Sequence, residues 1–316
     1  MAADVVTIDC EYVLPRFAAA YLLTSGRQAA FIDNNTTHSV PLLMRALGET
    51  GLTPRDVQWI IITHVHLDHA GGTSRLAELC PNAQVLAHPR AAPHVIDPSK
   101  LVLSARKVYG EEIFEKLYGE IKPVPAGRVR ALADEETVQL GSRGLKILHT
   151  RGHANHHFCV LSDDAIFTGD AFGLRYPALQ GQGLFVLPST SPTDFDPVEA
   201  RKSVDRIVAS GARMAYPTHF GGYRQLKEAA LQLKEHLDFS EVLLHDAIKR
   251  LEKDPAQAAG LGAWCAGELR THYERWLASH HRSFGREEWE LLSMDVRLNG
   301  DGIGFVARKT LKEKVG

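Results

Sequence analysis

The chain has few features that would tie it to nucleic acid, to membranes or to an oxidising compartment. Its 316 residues carry a formal net charge of −2, whereas binding to a phosphate backbone needs clustered lysine and arginine. No apolar run reaches the roughly 18 residues of a membrane-spanning helix, and no export signal opens the chain. The four cysteines form no Cys-x-x-Cys pair, which predicts buried free thiols. We therefore expect a cytoplasmic protein that acts on a small molecule, without nucleic-acid or membrane partners.

The densest group of polar side chains follows an apolar, strand-like run at residues 57–62. His64, His66, Asp68 and His69 stand within six positions of one another in the sequence. Imidazole and carboxylate groups at the end of a buried strand all need polar partners, and a metal pair supplies these partners most simply. The pattern His-x-His-x-Asp-His therefore predicts a metal site.

Apolar runs of strand character alternate with helix signals along the first two-thirds of the chain. The strand-like runs lie near residues 18–24, 28–33, 57–62, 84–88, 145–149, 158–161, 165–168 and 213–217. Asp196 predicts a helix start, because proline follows it and glutamate stands three residues later. Ser39 is a second predicted cap, for a helix running to Gly48.

Three further residues of metal-binding type follow other strand-like runs, namely His153, Asp170 and His219. With the His-x-His-x-Asp-His pattern, their order resembles the metallo-β-lactamase-fold hydrolases. The resemblance implies an α/β protein with a four-layer αββα sandwich, in which helices cover two sheets. Asp33 resembles the family's second-strand aspartate, which is structural. The run from Gly152 to His157 is similar to that of an uncharacterised subgroup with a two-metal site.

The family pattern implies two divalent metal ions per chain. His64, His66 and His153 would bind the first ion, Asp68, His69 and His219 would bind the second, and Asp170 would bridge both. A metal-bound hydroxide would be the nucleophile, and Asp68 would orient it. Zinc is the default metal, and iron and manganese are alternatives because imidazole and carboxylate ligands suit all three.

The expected domains are a catalytic core over residues 1–222 and an extension over residues 223–316. The core would carry a helical insertion at 97–125. The extension would be mainly helical, pack on the core and end in a short hairpin around Asn299-Gly300. Its helices between residues 223 and 282 would either cover the mouth of the site or form a homodimer interface.

The loop after Asp170 is the predicted substrate wall, because Phe172, Tyr176 and Phe185 can offer an apolar surface to an acyl or aromatic group. The resemblance implies a metal-dependent hydrolase of a small ester, thioester, lactone or amide. Two alternatives stay open. One is an iron-dependent redox or persulfide-oxidising protein on the same fold, and the other is a binding or effector member with low activity.

Several other polar residues near the motifs have two interpretations. Arg151 would contact an anionic substrate or pair with a surface carboxylate. His156 and His157 would either face the site or pack behind the turn at Gly152-His153. The remaining histidines near strand ends and loops, His88, His94 and His149, stay outside the predicted ligand set.

Overall fold

A computed structural model describes residues 5–190 and 194–315 and divides the chain into two compact units. The first unit contains the residues up to Thr150, His156–Gly169 and Ile207–Leu226. The second unit contains Arg151–Asn155, Asp170–Arg206 and the residues from Lys227 onward. The chain therefore passes between the units several times before the last crossing, which lies close to the expected boundary at residue 222.

The first sheet has six strands that follow one another in chain order. They are β1 (Val5–Asp9), β2 (Ala19–Ser25), β3 (Gln28–Ile32), β4 (Val57–Ile61), β5 (Gln84–Ala87) and β6 (Val129–Ala131). The first three strands pair antiparallel, and the pairs from β3 to β6 are parallel. Parallel strands covered on both faces are nearly continuous in apolar residues, as the run Val57-Gln58-Trp59-Ile60-Ile61 shows.

The second sheet has five strands in the order β11-β10-β9-β8-β7. They are β7 (Thr137–Leu140), β8 (Arg143–His149), β9 (Phe158–Ser162), β10 (Ala165–Gly169) and β11 (Met214–Pro217). β9 is antiparallel to both β8 and β10, and β11 is parallel to β10. β8, β10 and β11 consequently run in one direction and end at the same edge of the sheet.

All eight predicted strand-like runs correspond to strands of the two sheets. The sequence patterns missed β1, β6 and β7. These strands have three to five residues each, and most of their side chains are at least partly exposed. Short, half-exposed strands contain too few apolar residues for the two-residue alternation of a strand to be recognised in the sequence.

The ten α-helices are α1 (Val40–Glu49), α2 (Leu67–Ala70), α3 (Thr73–Leu79), α4 (Ala92–Ile96), α5 (Ser99–Tyr109), α6 (Glu111–Tyr118), α7 (Pro197–Ala209), α8 (Leu226–Lys253), α9 (Leu261–Ser279) and α10 (Arg286–Val315) among the described residues. Short 3-10 turns lie at Thr37–Ser39, Pro54–Asp56, Ala126–Arg128, Pro177–Gln180 and Pro255–Ala259. The predicted insertion at 97–125 contains α5 and α6, which an ion pair between Arg106 and Glu115 joins at 2.9 Å. Within the described residues, no helix combines the length and the apolar character needed to cross a membrane.

The two predicted helix caps have different outcomes. Asp196 caps α7 as expected, because its Oδ1 accepts hydrogen bonds from the backbone amides of Val198 and Glu199, each at 3.0 Å. Ser39 precedes α1, but its hydroxyl donates to the Cys10 carbonyl at 2.9 Å and to Asn35 Oδ1 at 2.8 Å. A buried hydroxyl here links α1 to the loop after β3, so the predicted side-chain cap is wrong.

The interior of the first unit lies between the two sheets. The Tyr21 ring on β2 is 5.3 Å from the Phe167 ring on β10, and both side chains are buried. Trp59 on β4 also donates to the Gln139 carbonyl on β7 at 2.8 Å. Each large apolar side chain buried here contributes about 1.5–3 kcal/mol to stability. On the other side of the first sheet, buried residues of α1, α3 and α4 form a second apolar cluster with the strands.

The predicted C-terminal hairpin is wrong, because α10 runs unbroken from Arg286 to Val315. Glycine serves there as a small residue for helix packing. A Cβ atom on Gly300 would lie 2.5 Å from the Ala266 backbone nitrogen and 2.6 Å from the Gly262 carbonyl oxygen. Both of these residues belong to α9, so α9 and α10 approach each other closely where the sequence suggested a turn.

The four cysteines lie in the described part of the chain and are free and buried, as expected. Burial raises the pKa of the Cys80 thiol to about 11 and that of the Cys265 thiol to about 12. A raised pKa keeps a thiol protonated and unreactive near neutral pH. The cysteines therefore serve packing in both units.

Candidate metal centre

A buried carboxylate organises the edge of the sheets in the first unit. Asp33 follows β3 directly and is 1% exposed. Its oxygens accept hydrogen bonds from the Thr63 amide at 2.8 Å, the Thr63 hydroxyl at 3.0 Å and the Thr218 hydroxyl at 2.7 Å. They also accept from His69 Nδ1 at 2.9 Å. A buried charge must be paired and hydrogen-bonded, and Asp33 meets that need by joining the ends of β3, β4 and β11.

Asp68, His69 and His219 come together in the first unit. Each offers one ligand atom, and these atoms lie within 4.8 Å of one another. Asp68 Oδ2 is 3.5 Å from His69 Nε2 and 3.3 Å from His219 Nε2. Both imidazoles are buried and Asp68 is partly exposed. The arrangement groups three of the predicted ligands, and its donor set of two imidazoles and one carboxylate fits a divalent ion.

The histidines at this edge are oriented by their second ring nitrogen. His69 uses Nδ1 to reach the buried carboxylate described above, and His219 uses Nδ1 to reach the Phe17 carbonyl at 2.9 Å. His64 Nδ1 lies 3.1 Å from the Thr63 hydroxyl. Histidines that bind metals almost always have their other ring nitrogen bonded to such a partner, which fixes the tautomer and the ring orientation. The residues present therefore fit a bound metal.

His64, His66 and His156 form a second ring cluster in the same unit. His64 Nε2 lies 2.9 Å from His66 Nδ1, so the two predicted ligands face each other. The His156 ring is 6.1 Å from the His64 ring and 5.7 Å from the His66 ring. His157 is fully buried, and its Nδ1 lies 2.8 Å from the Thr150 hydroxyl. The His157 ring is 5.0 Å from the His64 ring, so both histidines lie near a predicted ligand, and the choice between the two interpretations stays a prediction.

The other two predicted ligands, His153 and Asp170, lie in the second unit. His153 Nε2 is 3.6 Å from Asp170 Oδ2, and His153 Nδ1 is 3.1 Å from the Ser189 carbonyl. Both ligands line a cavity of about 10 Å³, which has room for one water molecule. His153 thus has the same kind of Nδ1 anchor as the histidines of the first unit.

Two glycines shape the chain beside these ligands. Gly152 has φ +117°, and a Cβ atom there would lie 2.2 Å from the Ala200 backbone nitrogen within the second unit. Gly169 ends β10 with φ +47°, and a Cβ atom there would lie 2.5 Å from His157 Nε2 and 2.7 Å from the Thr63 hydroxyl. Only glycine fits either position, so His153 and Asp170 each follow an obligatory glycine.

The Arg151 side chain makes hydrogen bonds to Asn155. Its Nε and Nη2 donate to Asn155 Oδ1 at 3.2 and 2.8 Å, and its carbonyl accepts from the Ser203 hydroxyl at 2.6 Å. A neutral amide oxygen holds the guanidinium in place without neutralising its charge. Lys202 and, to a smaller extent, Arg151 lower the pKa of the Glu199 carboxyl, so a surface carboxylate lies within the electrostatic reach of Arg151, and contact with an anionic substrate stays a prediction.

The three predicted substrate contacts are buried in the second unit. Phe172, Tyr176 and Phe185 are each at most 1% exposed. The Phe185 ring packs edge-on against Phe284 at 5.0 Å, and the Tyr176 hydroxyl donates to Asp295 Oδ1 at 3.3 Å. These contacts favour a packing role for all three side chains, and contact with a substrate stays a prediction.

The residues that support the ligands were not apparent from the sequence patterns. Thr63 and Thr218 were not singled out, although both bond to Asp33. Phe17 was missed as well, because it acts through its backbone carbonyl, which any residue type supplies. The one usable signal was that each threonine immediately precedes a predicted histidine ligand.

The sequence of residues 13–233 matches the family model for the metallo-beta-lactamase superfamily. The chain belongs to the metallo-β-lactamase superfamily. The four-layer αββα fold implied by the sequence is thereby confirmed, together with the C-terminal helical region. Among superfamily proteins, the metallo-beta-lactamase fold-containing protein ST1585 of Sulfurisphaera tokodaii is 26% identical over 235 residues. That alignment covers 73% of this chain and 83% of ST1585.

Solved structures of the superfamily agree with this assignment. The crystal structure of ST1585 superposes with a TM-score of 0.58 at 25% identity, covering 75% of this chain and 85% of that one. The metallo-beta-lactamase family protein TTHA1429 from Thermus thermophilus gives a TM-score of 0.56 at 23% identity, covering 79% and 82%. At 23% identity the second likeness shows the fold alone.

One relative has a named reaction. The atrochrysone carboxyl ACP thioesterase of Aspergillus fumigatus is 23% identical over 214 residues, which cover 65% of this chain. The chain spans only 52% of the length of that thioesterase. The relationship fits a superfamily of metal-dependent hydrolases and leaves the reaction of this chain to be proposed.

Proposed function

We propose that the chain is a two-metal hydrolase that acts on a small ester, thioester, lactone or amide. The observation that carries the proposal is the cluster of Asp68, His69 and His219, in which both imidazoles are oriented from behind by a fixed hydrogen bond. Such anchoring is typical of ligating histidines. A related thioesterase supports the choice of acyl transfer to water as the reaction class.

The proposed ligand set is the one implied by the family pattern. His64, His66 and His153 would hold one ion, Asp68, His69 and His219 would hold the other, and Asp170 would bridge them. When bound, divalent ions of this kind polarise an acyl oxygen and lower the pKa of water to about 7. Zinc is the proposed metal because it accepts mixed imidazole and carboxylate ligands without a geometric preference.

The protein's own groups have defined tasks in this proposal. Asp33 keeps His69 in the tautomer that carries its proton on Nδ1, so Nε2 is left to face the centre. The Phe17 carbonyl does the same for His219. Asp68, which is partly exposed, can accept a proton from water at the open side of the cluster.

The test is elemental analysis of protein purified without added metal, followed by assays on ester, thioester and lactone substrates. We expect two metal ions per chain and hydrolysis of at least one class. Asp170→Asn should lower metal content and nearly abolish hydrolysis, because a neutral amide cannot balance two cations. The exposed Asp164 on the turn before β10 provides the matched control, and Asp164→Asn should keep both metals and the full rate.

Three results would contradict the proposal. Asp170→Asn with both metals and an unchanged rate would remove the bridging role. Oxygen uptake by an iron-containing preparation that hydrolyses nothing would instead favour the iron-dependent alternative, which shares most of the same ligands. A metal-loaded chain without turnover on any substrate would favour a binding or effector protein.

We also propose that the protein is cytoplasmic and that a small-molecule substrate is its main partner. The free, buried thiols support a reducing compartment. The near-neutral charge supports the absence of a nucleic-acid partner. Whether the C-terminal helices cover the site or form a homodimer interface is a choice that the oligomeric state in solution would decide.

A further inference from the structure

An aromatic wall, formed by the rings of Phe17 and Tyr12, adjoins the cluster of Asp68, His69 and His219 within the first unit. Phe17, in the loop between β1 and β2, meets the His219 ring edge-on at a centroid distance of 5.7 Å. Its carbonyl also anchors His219 Nδ1 at 2.9 Å. Tyr12, near the start of the same loop, has its ring 6.4 Å from the Phe17 ring. The Phe17 ring therefore lies beside His219, a proposed metal ligand, and the Tyr12 ring lies beside Phe17.

A second phenol meets this wall from the helical insertion. Tyr118, the last residue of α6, places its hydroxyl 3.3 Å from the Tyr12 hydroxyl, with the rings 6.3 Å apart. Tyr109 at 5.8 Å and Phe114 at 5.3 Å hold the Tyr118 ring in place. Two hydroxyls carry two protons, and the bond between them uses one. The pair can consequently donate its other proton to a third group.

Both phenols are neutral donors at ordinary pH. Burial raises the pKa of Tyr12 and of Tyr118 far above the usual value, and the nearby Asp68 carboxylate raises each pKa further. The phenols therefore act as hydrogen-bond donors, because neither loses its proton.

The wall has an open side. Tyr12 is only half-buried, and the next two residues, Val13 and Leu14, are 49% and 46% exposed. The neck of the loop is fixed, because Asp9 Oδ2 accepts a hydrogen bond from the Arg16 amide at 2.9 Å. A substrate arriving from solvent can thus meet Tyr12 without unfolding the loop.

We propose that Tyr12 and Tyr118 determine specificity for a substrate whose acyl group is aromatic and bears a carbonyl oxygen. The inference rests on the proposed hydrolase, since the acyl carbon must reach the cluster. The substrate ring would pack against the half-buried Tyr12 ring, in the offset or edge-on contacts that aromatic pairs prefer, and the buried Phe17 ring supports Tyr12 from the protein side. The carbonyl oxygen on the substrate's aromatic group would accept a hydrogen bond from the phenol O–H that the bond between Tyr12 and Tyr118 does not use. A plain alkyl acyl group could use neither contact.

The test compares two benzoates of the same shape, 4-acetylbenzoate and 4-isopropenylbenzoate. The second probe replaces the carbonyl oxygen by a methylene group, so the two differ in one hydrogen-bond acceptor. Binding to the metal-loaded protein is measured by calorimetric titration, with metal content determined for every sample. We expect 4-acetylbenzoate to bind about 2- to 12-fold more tightly, which is the range for one neutral hydrogen bond.

Tyr12→Phe should bring this ratio close to one, because it removes the half-buried hydroxyl that a ligand can reach. Tyr118→Phe should lower the ratio less, because Tyr12 keeps its proton and loses only the partner hydroxyl that orients it. Neither should change metal content or the affinity for 4-isopropenylbenzoate, because the rings remain. Tyr109→Phe is the matched control, since Tyr109 belongs to the same ring cluster and no hydrogen bond joins its hydroxyl to another described residue. This control should keep the wild-type ratio. Tyr12 lies on a half-exposed loop, so Tyr12→Phe tests the pair even if the buried Tyr118 variant folds poorly.

Two results would overturn the proposed specificity. One is a ratio near one in the wild-type protein, and the other is a wild-type ratio in Tyr12→Phe. A chain that hydrolyses esters but gives either result would still be a hydrolase, without this wall. If the protein distinguishes the two probes through the phenols but hydrolyses no substrate, the proposed specificity stands and the proposed function is wrong.

Discussion

The two units each contain a histidine cluster, and the clusters differ in what surrounds the rings. In the first unit, His69 and His219 are anchored through Nδ1 and approach the Asp68 carboxylate through Nε2. In the second unit, His236 on α8 and His272 on α9 bond to each other, with His236 Nδ1 and His272 Nε2 2.9 Å apart. The second pair has aromatic neighbours in place of a carboxylate.

The helical cluster of the second unit is a packing device. The His272 ring stacks on Phe239 at 4.0 Å with an interplanar angle of 6°. Glu235, an acid on α8 whose charge acts on His272, accepts a hydrogen bond from Trp276 Nε1 at 2.6 Å. Burial lowers the pKa of His236 well below its usual value and that of His272 to about 4. Both rings are therefore neutral at pH 7 and behave as polar members of an aromatic core.

The comparison teaches that the neighbours of a histidine decide its role. Sixteen histidines are present in the chain, and ring-to-ring proximity occurs in both units. In the first unit, Asp33 accepts a hydrogen bond from Nδ1 of His69, and the Asp68 carboxylate lies on the Nε2 side of the same ring. Removing individual rings and anchors should separate the two roles.

The largest expected effect is on metal binding. His219→Ala should weaken metal binding by about 100-fold or more, because even partners behind a ligand are worth about 10–100-fold. His66→Ala should do the same. His236→Gln in the helical cluster and His94→Ala on α4 should leave metal content unchanged. Metal analysis after dialysis against a weak chelator gives the ranking, and equal losses in all four variants would erase the distinction between the clusters.

Removal of the anchor behind a ligand should have a smaller effect. Asp33→Asn keeps the shape of the side chain but weakens its bond to His69, so metal affinity should fall by about 10–100-fold. Competition with a chromophoric chelator measures this change. The exposed Asp97 is the control, because it only caps the start of α5 through the Ser99 amide at 3.1 Å. Affinity in Asp33→Asn equal to that of Asp97→Asn would mean that the carboxylate holds strands together without serving the metal.

The pH dependence of stability should reveal the helical pair. His236 and His272 have lower pKa values in the folded protein than the usual 6.5, so the unfolded chain takes up protons first as the pH falls. Their contribution is complete above about pH 6.5 and is lost progressively toward pH 4. For the metal-free protein we expect a loss of about 1–2 kcal/mol between pH 6.5 and 5, after allowance for the partial exposure of His272.

The variant His272→Gln isolates this contribution. Glutamine can still donate a hydrogen bond to His236 but does not titrate, so the slope of unfolding free energy against pH should flatten relative to the wild type. His94→Gln in the first unit should leave the slope unchanged. Denaturant unfolding at several pH values gives both slopes, and identical slopes for the two variants would mean that the pair does not control acid stability.

The last prediction concerns the packing of α9 against α10 within the helical unit. Gly300→Ala should destabilise the protein by about 1–3 kcal/mol, because the added methyl group meets α9 backbone atoms at 2.5 Å. Gly267→Ala is the control on α9 itself, where no atom lies within 4 Å of the new Cβ. That change should stabilise the helix by up to about 1 kcal/mol. Thermal unfolding compares them, and a stabilised Gly300→Ala protein would show that the helices are not in close contact there.

Local residue patterns were enough to predict the superfamily, the two-sheet fold and the residue types of the metal centre. A strand buried on both faces must be apolar along its whole length, so its end is visible as the point where polar residues begin. His64, Asp170 and His219 stand just past such points. The local sequence pattern alone was therefore enough to identify these side chains as candidate metal ligands.

The three-dimensional arrangement was needed to show which groups orient those side chains and which rings pack in the core. Asp33 reaches Thr218 across 185 positions of sequence, and Tyr12 reaches Tyr118 across 106. The glycines near residue 300 suggested a turn, yet they serve a helix crossing because their neighbours on α9 come from a distant part of the chain. Hydrogen bonds and close contacts depend on distances in space, and a local sequence pattern carries no information about partners that folding brings from far away.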